Sequence, residues 1–168
     1  IVEALLFLAR ADAESQQPRL ESIDLRPWLV EHIEARQWGR SRDLRLDLDH
    51  GFSTRVAVHR PLLAELVDNL LDNAAKYSQA GTPIDVRMTH VEGEIHLAVE
   101  DRGIGIEESE IPNLFDPFYR SPRARRGGMS GLGLGLSVAA RLARAFGGRI
   151  DIENQPGKGS IFTLVLPI

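Results

Sequence analysis

The polar residues best suited to chemistry lie along one face of Arg60 to Ser78, a segment with helical apolar spacing. Glu65, Asn69 and Asn73 follow one another at steps of four residues, and Lys76 comes three residues later. In a helix this spacing places the side chains in one file. Amide oxygens followed by an ammonium suit a hydrated Mg²⁺ and the phosphates it bridges, because Mg²⁺ takes few protein ligands. An ordinary solvated helix face would show the same pattern, so both interpretations stay open at this point.

A first glycine-rich segment, Asp101 to Ile106 (DRGIGI), directly follows a strand candidate. Its alternate glycines, Gly103 and Gly105, permit positive φ and a close approach of a flat ligand to the backbone. The carboxylate of Asp101 could accept a hydrogen bond from an exocyclic amine such as that of adenine. A tight turn that uses glycine only for its geometry is the alternative interpretation.

A second glycine-rich segment, GLGLGL, leads straight into a helix candidate. Its glycines are Gly131, Gly133 and Gly135, and the leucines between them are Leu132 and Leu134. Free N–H groups at a helix N-terminus bind phosphates, so this segment predicts an anion site. The leucines are expected to anchor the loop to the core. The sequence holds neither a P-loop motif nor a dinucleotide-binding G-x-G-x-x-G in a βαβ unit.

A possible lid lies between the two glycine segments. Phe115 to Arg120 (FDPFYR) places aromatic residues around a proline, and a basic stretch with Arg123, Arg125 and Arg126 follows. This composition predicts a lid that covers a ligand and is anchored by Phe115 and Phe118. A plain exposed loop is the alternative.

Composition restricts the classes of protein. With 168 residues, 43% hydrophobic and 26% charged, the chain can bury one core, and we expect one domain plus an appendage. The net charge of -4 and pI near 5.7 give no electrostatic footprint for nucleic acid. The absence of cysteine excludes disulfides and thiolate metal sites.

Apolar periodicity predicts three helices and five or six mostly antiparallel strands. These elements imply an α/β (α+β) two-layer sandwich, with a mixed, mostly antiparallel sheet covered on one face by the helices. Asp24 is a candidate N-cap for the first helix. The helices are expected from Asp24 to about Trp38, from Arg60 to Ser78 and from Gly133 to Phe146; the strands are expected at Leu44–Leu48, Arg55–Val58, Ile84–Met88, Ile95–Val99, Arg149–Glu153 and Ser160–Leu166.

The first thirteen residues, IVEALLFLARADA, would form a helix with apolar residues on nearly every face, and they precede the polar stretch Glu14 to Ser22. They are interpreted as the end of a helix from a preceding bundle followed by a linker, or as a terminal helix packed on its own domain. The apolar run from Ala4 to Ala9 is far shorter than the roughly 20 residues of a membrane span. Because the chain starts at Ile1 rather than Met, we expect it to be a fragment of a longer protein.

Taken together, five motifs resemble the N, G1, F, G2 and G3 boxes of sensor histidine kinases in order and spacing. They are LAELVDNLLDNAAKYS, DRGIGI, FDPFYR, GLGLGL and GKGS, and the resemblance covers residues 20–168. It implies the Bergerat ATP-binding fold of the family's catalytic domain, which DNA gyrase, Hsp90 and MutL share. The leading segment resembles the end of the family's dimerisation and phosphoacceptor helix, which implies a division into residues 1–22 and 23–168.

The resemblance also implies residue roles and two cofactors, ATP and Mg²⁺. Asn69, Asn73 and Lys76 would be catalytic, with Asn73 as Mg²⁺ ligand, Asn69 assisting at the metal and Lys76 on phosphate. Asp101 would read adenine. The full set of expected nucleotide-binding residues is Asn73, Lys76, Tyr77, Asp101, Gly103, Gly105, Ile106, Phe118, Arg120, Gly131, Leu132, Gly133, Leu134, Gly135 and Thr163.

One departure from the wider superfamily bears on the reaction. Hydrolysing members carry a glutamate where this chain has Asn69, and an amide is not a general base, which favours phosphoryl transfer over hydrolysis. The histidines lack the family's phosphoacceptor pattern, so the acceptor is expected upstream of this sequence; they are His32, His50, His59, His90 and His96.

The expected function is therefore an Mg·ATP-binding kinase domain that phosphorylates a histidine on an upstream phosphoacceptor domain of the same protein, for relay to a response regulator. The alternatives are a gyrase-like or Hsp90-like ATPase and a nucleotide-binding regulatory module without kinase activity. The resemblance also implies a homodimeric full-length protein attached to the bacterial inner membrane, with this domain in the cytoplasm and no nucleic acid partner.

Overall fold

Alternating apolar residues build two β-sheets in the computed structural model, which describes residues 19–36, 43–126, 131–155 and 157–168. The larger sheet has the strand order β2-β4-β5-β7-β6; β2 and β4 are parallel, and the other neighbours are antiparallel. The smaller sheet pairs β1 with β3. The strands are β1 (Glu21–Asp24), β2 (Leu44–Leu48), β3 (Arg55–Val58), β4 (Ile84–Val91), β5 (Glu94–Glu100), β6 (Arg149–Gln155) and β7 (Gly159–Pro167).

Three long helices and two short helical turns accompany the strands. The helices are α1 (Leu25–Ala35), α2 (Arg60–Tyr77), α3 (Pro122–Arg126) and α4 (Gly135–Ala145), with a 3-10 helix at Glu108–Asn113. The period of 3.6 residues gives each long helix an apolar stripe that it buries. On α2 that stripe includes Leu63, Leu66 and Leu70, all fully buried.

The core lies between one face of the larger sheet and the apolar stripes of the long helices. Because side chains alternate along a strand, Val86, Val99 and Phe162 point into this layer while their neighbours point away. The helical side of the same cluster includes Leu71 and Leu142. The predicted two-layer fold class is confirmed.

The start of α1 differs from the sequence-based expectation. Asp24 makes no side-chain cap to the helix, because its carboxylate accepts a hydrogen bond from the Thr54 hydroxyl. Thr54 satisfies the first helical N–H groups instead: its carbonyl accepts from Leu25 N–H at 2.8 Å and its hydroxyl from Arg26 N–H at 3.4 Å. Asp24 therefore occupies the predicted N-cap position, but its side chain does not cap the helix, and a residue distant in sequence supplies the capping acceptors.

Strand β1 was not predicted, since a linker was expected up to Ser22. Ile23 is its single buried residue, so the four-residue strand shows no alternation long enough to recognise. It exists because its backbone pairs with β3, Glu21 opposite Val58. Strand β1 thus begins two residues before the expected boundary at residue 23. The expected helix over residues 1–13 lies outside the described residues, as do Gln37 and Trp38 at the expected end of α1.

Ionic contacts join α1 to α2. His32 Nε2 lies 2.8 Å from Asp68 Oδ1, and an Arg36 guanidinium nitrogen lies 2.7 Å from the other carboxylate oxygen. Trp28 stacks on the His32 ring with centroids 5.0 Å apart. Asp68 directly precedes Asn69, so these contacts fix the register of the α2 face that carries the polar file. Within the described ranges, no helix is long and apolar enough to cross a membrane.

Candidate functional site

A cavity of about 560 Å³ opens between α2, the start of α4 and the segments on either side of the 3-10 helix. Its volume lies within the range of about 300–1,000 Å³ typical of small-molecule sites. It brings together residues from all three chemical segments found in the sequence. The lining includes Asn69, Asp72, Asn73, Lys76, Tyr77, Ile104, Gly105, Ile106, Glu110, Leu114, Tyr119, Arg120, Ser121, Ser160 and residues 131 to 136.

Helix α2 presents its polar file to this cavity. Asn69 is 8% exposed, and its Nδ2 atom has no hydrogen-bond partner among the described residues. Its Oδ1 atom faces the start of α4, where a Cβ on Gly135 would lie 3.1 Å away. A buried amide that lacks a partner costs about 1–3 kcal/mol. The site is therefore suited to a ligand that supplies the missing contact.

Two cations face the same space. Lys76 Nζ lies 5.1 Å from the centroid of the Tyr77 ring, and both side chains line the cavity with Arg120. Burial lowers the pKa of Lys76 below its usual range, and the Arg120 charge lowers it further. An anion placed between these side chains would offset that repulsion. The charges of this part of the cavity suit phosphate.

Asp101 lies at the base of the cavity, at the end of β5. It is 2% exposed; the Ser160 hydroxyl donates to Oδ2 at 2.5 Å and Gly103 N–H donates to Oδ1 at 2.8 Å. Burial raises the pKa of Asp101 above its ordinary value, and the two hydrogen bonds oppose that rise. A Cβ on Gly103 would lie 2.1 Å from the Tyr77 carbonyl oxygen, so only glycine fits there. Asp101 and Gly103 are absent from the cavity lining, whereas Ser160, itself buried, is part of it.

Ser160 was not singled out from the sequence as a site residue. It stands in the GKGS motif, whose final residue is the signal that could have identified it. Asp72, Glu110 and Leu114 also line the cavity without having been predicted. Asp72 follows Asn69 by three residues and precedes Lys76 by four, so helical spacing alone could have placed it beside the polar file.

The second glycine segment forms the opposite wall. Gly131 and Gly133 have φ values of 129° and 73°, and Gly135 is the first residue of α4. Leu134 is buried, as expected for an anchor, whereas Leu132 is 73% exposed. The expectation that Leu132 anchors the loop in the core is therefore wrong: positive φ on both sides of it turns its side chain outward.

A backbone hydrogen bond joins the predicted lid to the second glycine segment. Phe118 N–H donates to the Gly133 carbonyl at 2.9 Å. A Cβ on Gly133 would lie 2.4 Å from the Tyr119 carbonyl oxygen, so the approach requires glycine. Residues 127–130 of the lid lie outside the described residues. Arg123 pairs with Glu107 at 3.3 Å, while Arg120 lines the cavity.

Phe118 does not anchor the lid. Its side chain is 68% exposed and its φ is 67°, which is unusual for a bulky residue. It is absent from the cavity lining, where Leu114 and Tyr119 supply the apolar wall on this side. Phe115 is half-buried and lies outside the lining too. The interpretation of Phe118 as a nucleotide contact is corrected accordingly.

Thr163 lies on the opposite face of the sheet from the cavity. Its neighbours along β7, Phe162 and Leu164, are buried in the core, and alternation directs Thr163 away from them. Its cross-strand partners are Ala98 and Asp151. The prediction that Thr163 supports the nucleotide site is wrong, because the face of β7 that meets the helices carries Phe162 and Leu164 and not Thr163.

The donor set of the cavity fits a magnesium ion held largely by its substrate. Asn69 and Asn73 supply amide oxygens on successive turns of α2, and Asp72 lies between them on the lining. Among the described residues, no group of three or more His, Cys, Asp or Glu is placed to hold a metal. Amide donors suit Mg²⁺, which keeps water and phosphate oxygens in its remaining positions.

Comparison with known proteins agrees with this geometry. The chain matches the family described as "Histidine kinase-, DNA gyrase B-, and HSP90-like ATPase" over residues 58–168. It is 37% identical over 167 residues to the signal transduction histidine-protein kinase AfsQ2 of Streptomyces coelicolor, covering 99% of this chain and 30% of that protein. It is 31% identical over 168 residues to the sensor-like histidine kinase SenX3 of Mycolicibacterium smegmatis, covering 99% of this chain and 44% of SenX3.

A solved structure gives the same result. The mycobacterial sensor histidine kinase MprB superposes with a TM-score of 0.72 at 29% identity, covering 88% of this chain and 97% of that one. The chain thus spans less than half the length of the two curated relatives and nearly the whole of the MprB structure. The chain belongs to the family of histidine kinase-, DNA gyrase B- and HSP90-like ATPases, as an ATP-binding domain of the kind found in sensor histidine kinases.

Proposed function

We propose that this domain binds Mg·ATP in the cavity and transfers the γ-phosphoryl group to a histidine on an upstream domain, from which a response regulator aspartate would take it. The observation that carries the proposal is Asn69. A buried amide with an unpaired donor occupies the centre of the cavity, between the second asparagine of the file and the start of α4. It can orient a metal-bound phosphate, and it cannot remove a proton from water.

The base would lie near Asp101 and the phosphates near α4. The buried Asp101 carboxylate and the Ser160 hydroxyl form the polar floor, and Ile104 and Ile106 form an apolar wall against a flat ring. At the other end, Lys76 and the N–H groups that begin α4 present positive charge to the triphosphate. Arg120, the last residue of the FDPFYR part of the lid, also lines the cavity.

Asn73 is the proposed magnesium ligand, with Asn69 assisting through the metal or a water. When bound there, Mg²⁺ would supply positive charge that stabilises the charge developing during phosphoryl transfer. The remaining work of the protein is positioning and charge stabilisation, which amides, a lysine and backbone N–H groups can perform. The γ-phosphorus–oxygen bond breaks to leave ADP, and a phosphorus–nitrogen bond forms on the acceptor imidazole, which loses its proton.

The domain boundary and the assembly are part of the same proposal. We assign residues 1–20, the part of the expected segment 1–22 that precedes β1, to the end of a phosphoacceptor helix and its connection, on the apolar character of IVEALLFLARADA. The full-length protein would be a membrane-attached homodimer in which this domain reaches the acceptor histidine. The longer relatives, of which this chain covers 30% and 44%, support the presence of further domains.

A phosphotransfer assay with γ-labelled ATP tests the proposal. A longer protein that includes the upstream domain should acquire acid-labile, base-stable label on histidine, and the label should pass to a response regulator. Multiple-turnover ATP hydrolysis by residues 1–168 alone, lost on Asn69→Ala, would support an ATPase instead. Tight ATP binding without transfer to any phosphoacceptor domain would point to a regulatory module.

A further inference from the structure

Asn154, near the end of β6, uses its whole side-chain amide on one residue of another segment. Ile106 N–H donates to Asn154 Oδ1 at 2.7 Å, and Asn154 Nδ2 donates to the Ile106 carbonyl at 2.5 Å. One side chain thereby satisfies both backbone polar groups of Ile106, as a neighbouring strand would. The contact spans 48 residues of sequence, so local structure does not produce it.

The same hairpin holds the glycine segment at a second point. Gly157 N–H, in the turn between β6 and β7, donates to the Ile104 carbonyl at 2.8 Å. Across the hairpin, Asn154 pairs in register with Ser160, whose hydroxyl holds Asp101. The wall formed by Ile104 and Ile106 and the carboxylate at its base are thus fastened to one hairpin.

Asn154 itself does not line the cavity, whereas Ile106 does. Any effect of Asn154 on a ligand must therefore pass through the position of Ile106. This wall belongs to the segment that begins at Asp101, whereas Lys76 and the first N–H groups of α4 belong to other elements of the lining. We therefore expect the position of Ile104 and Ile106 to affect binding of the base and to have little effect on binding of the phosphates.

We infer that Asn154 is a positioning residue that sets affinity for the nucleoside part of the nucleotide and leaves affinity for the triphosphate unchanged. The inference rests on the proposed function, because it presumes that the base lies against Ile106. It differs from a general role in stability by predicting a selective loss. If Asn154 had only a structural role, its substitution would weaken the binding of both kinds of ligand or of neither.

The test is calorimetric titration of residues 1–168 with Mg·ATP and, separately, with magnesium tripolyphosphate. Loss of two hydrogen bonds in Asn154→Ala should weaken ATP binding about tenfold and leave tripolyphosphate binding within about twofold. Asn154→Asp has nearly the same shape but turns an acceptor toward the Ile106 carbonyl, so it should lose at least as much. Glu153→Ala, an exposed change on the opposite face of β6, should bind both ligands like the wild type.

Amide hydrogen exchange gives a second readout that does not depend on the ligand. The Ile106 amide should exchange at least about tenfold faster in Asn154→Ala than in the wild type, while core amides of β5 keep their protection. If Asn154→Ala is too unstable to titrate, the milder Asn154→Ser takes its place in both measurements. An unchanged ratio of ATP to tripolyphosphate affinity in these variants overturns the inference. Failure of the wild type to bind ATP overturns the proposed function as well, so the two failures are distinguishable.

Discussion

The identity of residue 69 separates two kinds of ATP chemistry. A carboxylate there could accept a proton from water, whereas the amide of Asn69 can only orient a group or bind a metal through its oxygen. Asn69 is buried and its amide nitrogen is unpaired, which lowers the stability of the folded protein until a ligand supplies a partner. The role that we propose for Asn69 is therefore to hold a phosphoryl donor, and an amide cannot activate water as a general base.

Asn73 is the residue on which metal dependence should turn. Asn73→Ala removes a proposed magnesium ligand from the α2 file, so the affinity gained by adding Mg²⁺ to ATP should disappear, a loss of about a hundredfold. Calorimetric titration with ATP, with and without Mg²⁺, measures this. Asn113→Ala, an exposed asparagine at the end of the 3-10 helix, is the matched control. Magnesium-dependent affinity that survives in Asn73→Ala would remove the metal assignment.

Both ATP affinity and folding stability should depend on pH through Asp101. Burial raises its pKa above the ordinary value of 3.8, so it becomes protonated at a higher pH than a surface aspartate. The ionised form is the one that accepts from an adenine amine, and ATP affinity should fall as pH drops through the raised pKa. The same shift means that the folded state binds more protons than the unfolded state above pH 3.8, so this carboxylate lowers folding stability as pH rises through that window.

The variant Asp101→Asn isolates this effect. It should bind ATP about tenfold more weakly at neutral pH, prefer ATP over GTP less, and lack the additional acid decline shown by the wild type. Titration of the triphosphate contributes equally to both proteins, so the ratio of their affinities from pH 8 to pH 4.5 is the measured quantity. A constant ratio with an unchanged preference for ATP would count against Asp101 at the base.

A substitution at Gly133 tests the backbone contact that joins the lid to the second glycine segment. Gly133→Ala places a Cβ 2.4 Å from the Tyr119 carbonyl oxygen at a φ of 73°, so the bond from Phe118 N–H should break and ATP affinity should fall at least about tenfold. Gly81→Ala is the control, since its φ is 80° but nothing lies within 4 Å of the new Cβ. It should cost about 1 kcal/mol of stability and no affinity. Equal affinities in the two variants would show that the contact has no role in binding.

Residue types and spacing were enough to predict that Asn69, Asn73 and Lys76 share one helix face and that Asp101 follows a strand, because local geometry determines both. They were insufficient for Thr163 and Phe118. Thr163 required knowing which face of β7 meets the helices, and Phe118 required knowing that its backbone would adopt positive φ to reach Gly133. Both are tertiary properties that one-dimensional patterns do not carry.

At the scale of elements, Thr54 decides how α1 begins. Its carbonyl and hydroxyl accept the first N–H groups of the helix, and its hydroxyl binds Asp24, so one residue joins β1, α1 and the segment before β3. Thr54→Ala should destabilise the domain by about 1–2 kcal/mol, as for the loss of a helix cap, whereas Thr54→Ser should recover most of it. Denaturant unfolding monitored by circular dichroism gives both values. Equal stability of the alanine variant and the wild type would contradict the capping role.

Long elements were predictable because their apolar periods repeat several times, as in α2 and the hairpin of β4 and β5. The short elements β1 and α3 were not predicted, although the short strands β2 and β3 were. β1 has four residues with a single buried side chain, and α3 has five residues, so neither shows a repeated period. Their conformations come from partners elsewhere in the chain, as β1 shows by pairing with β3.

At the scale of the molecule, the two sides of the ligand cavity come from distant parts of the sequence. Helix α2 supplies the amides and Lys76, while the second glycine segment and α4 supply backbone donors from the C-terminal half. The hairpin of β6 and β7 then fixes the base end through Ser160 and Asn154. The site is complete only when the whole sheet has formed, so ATP should bind the folded chain alone and raise its melting temperature.

The location of the nucleotide is the central claim, and a crystal structure of this domain with Mg²⁺ and a non-hydrolysable ATP analogue tests it most directly. The base should lie between Asp101 and Ile106, the metal should be bound by the Asn73 amide oxygen, and the phosphates should face Lys76 and the first N–H groups of α4. An analogue bound at another place, or this cavity without ligand at saturating analogue, would contradict the account.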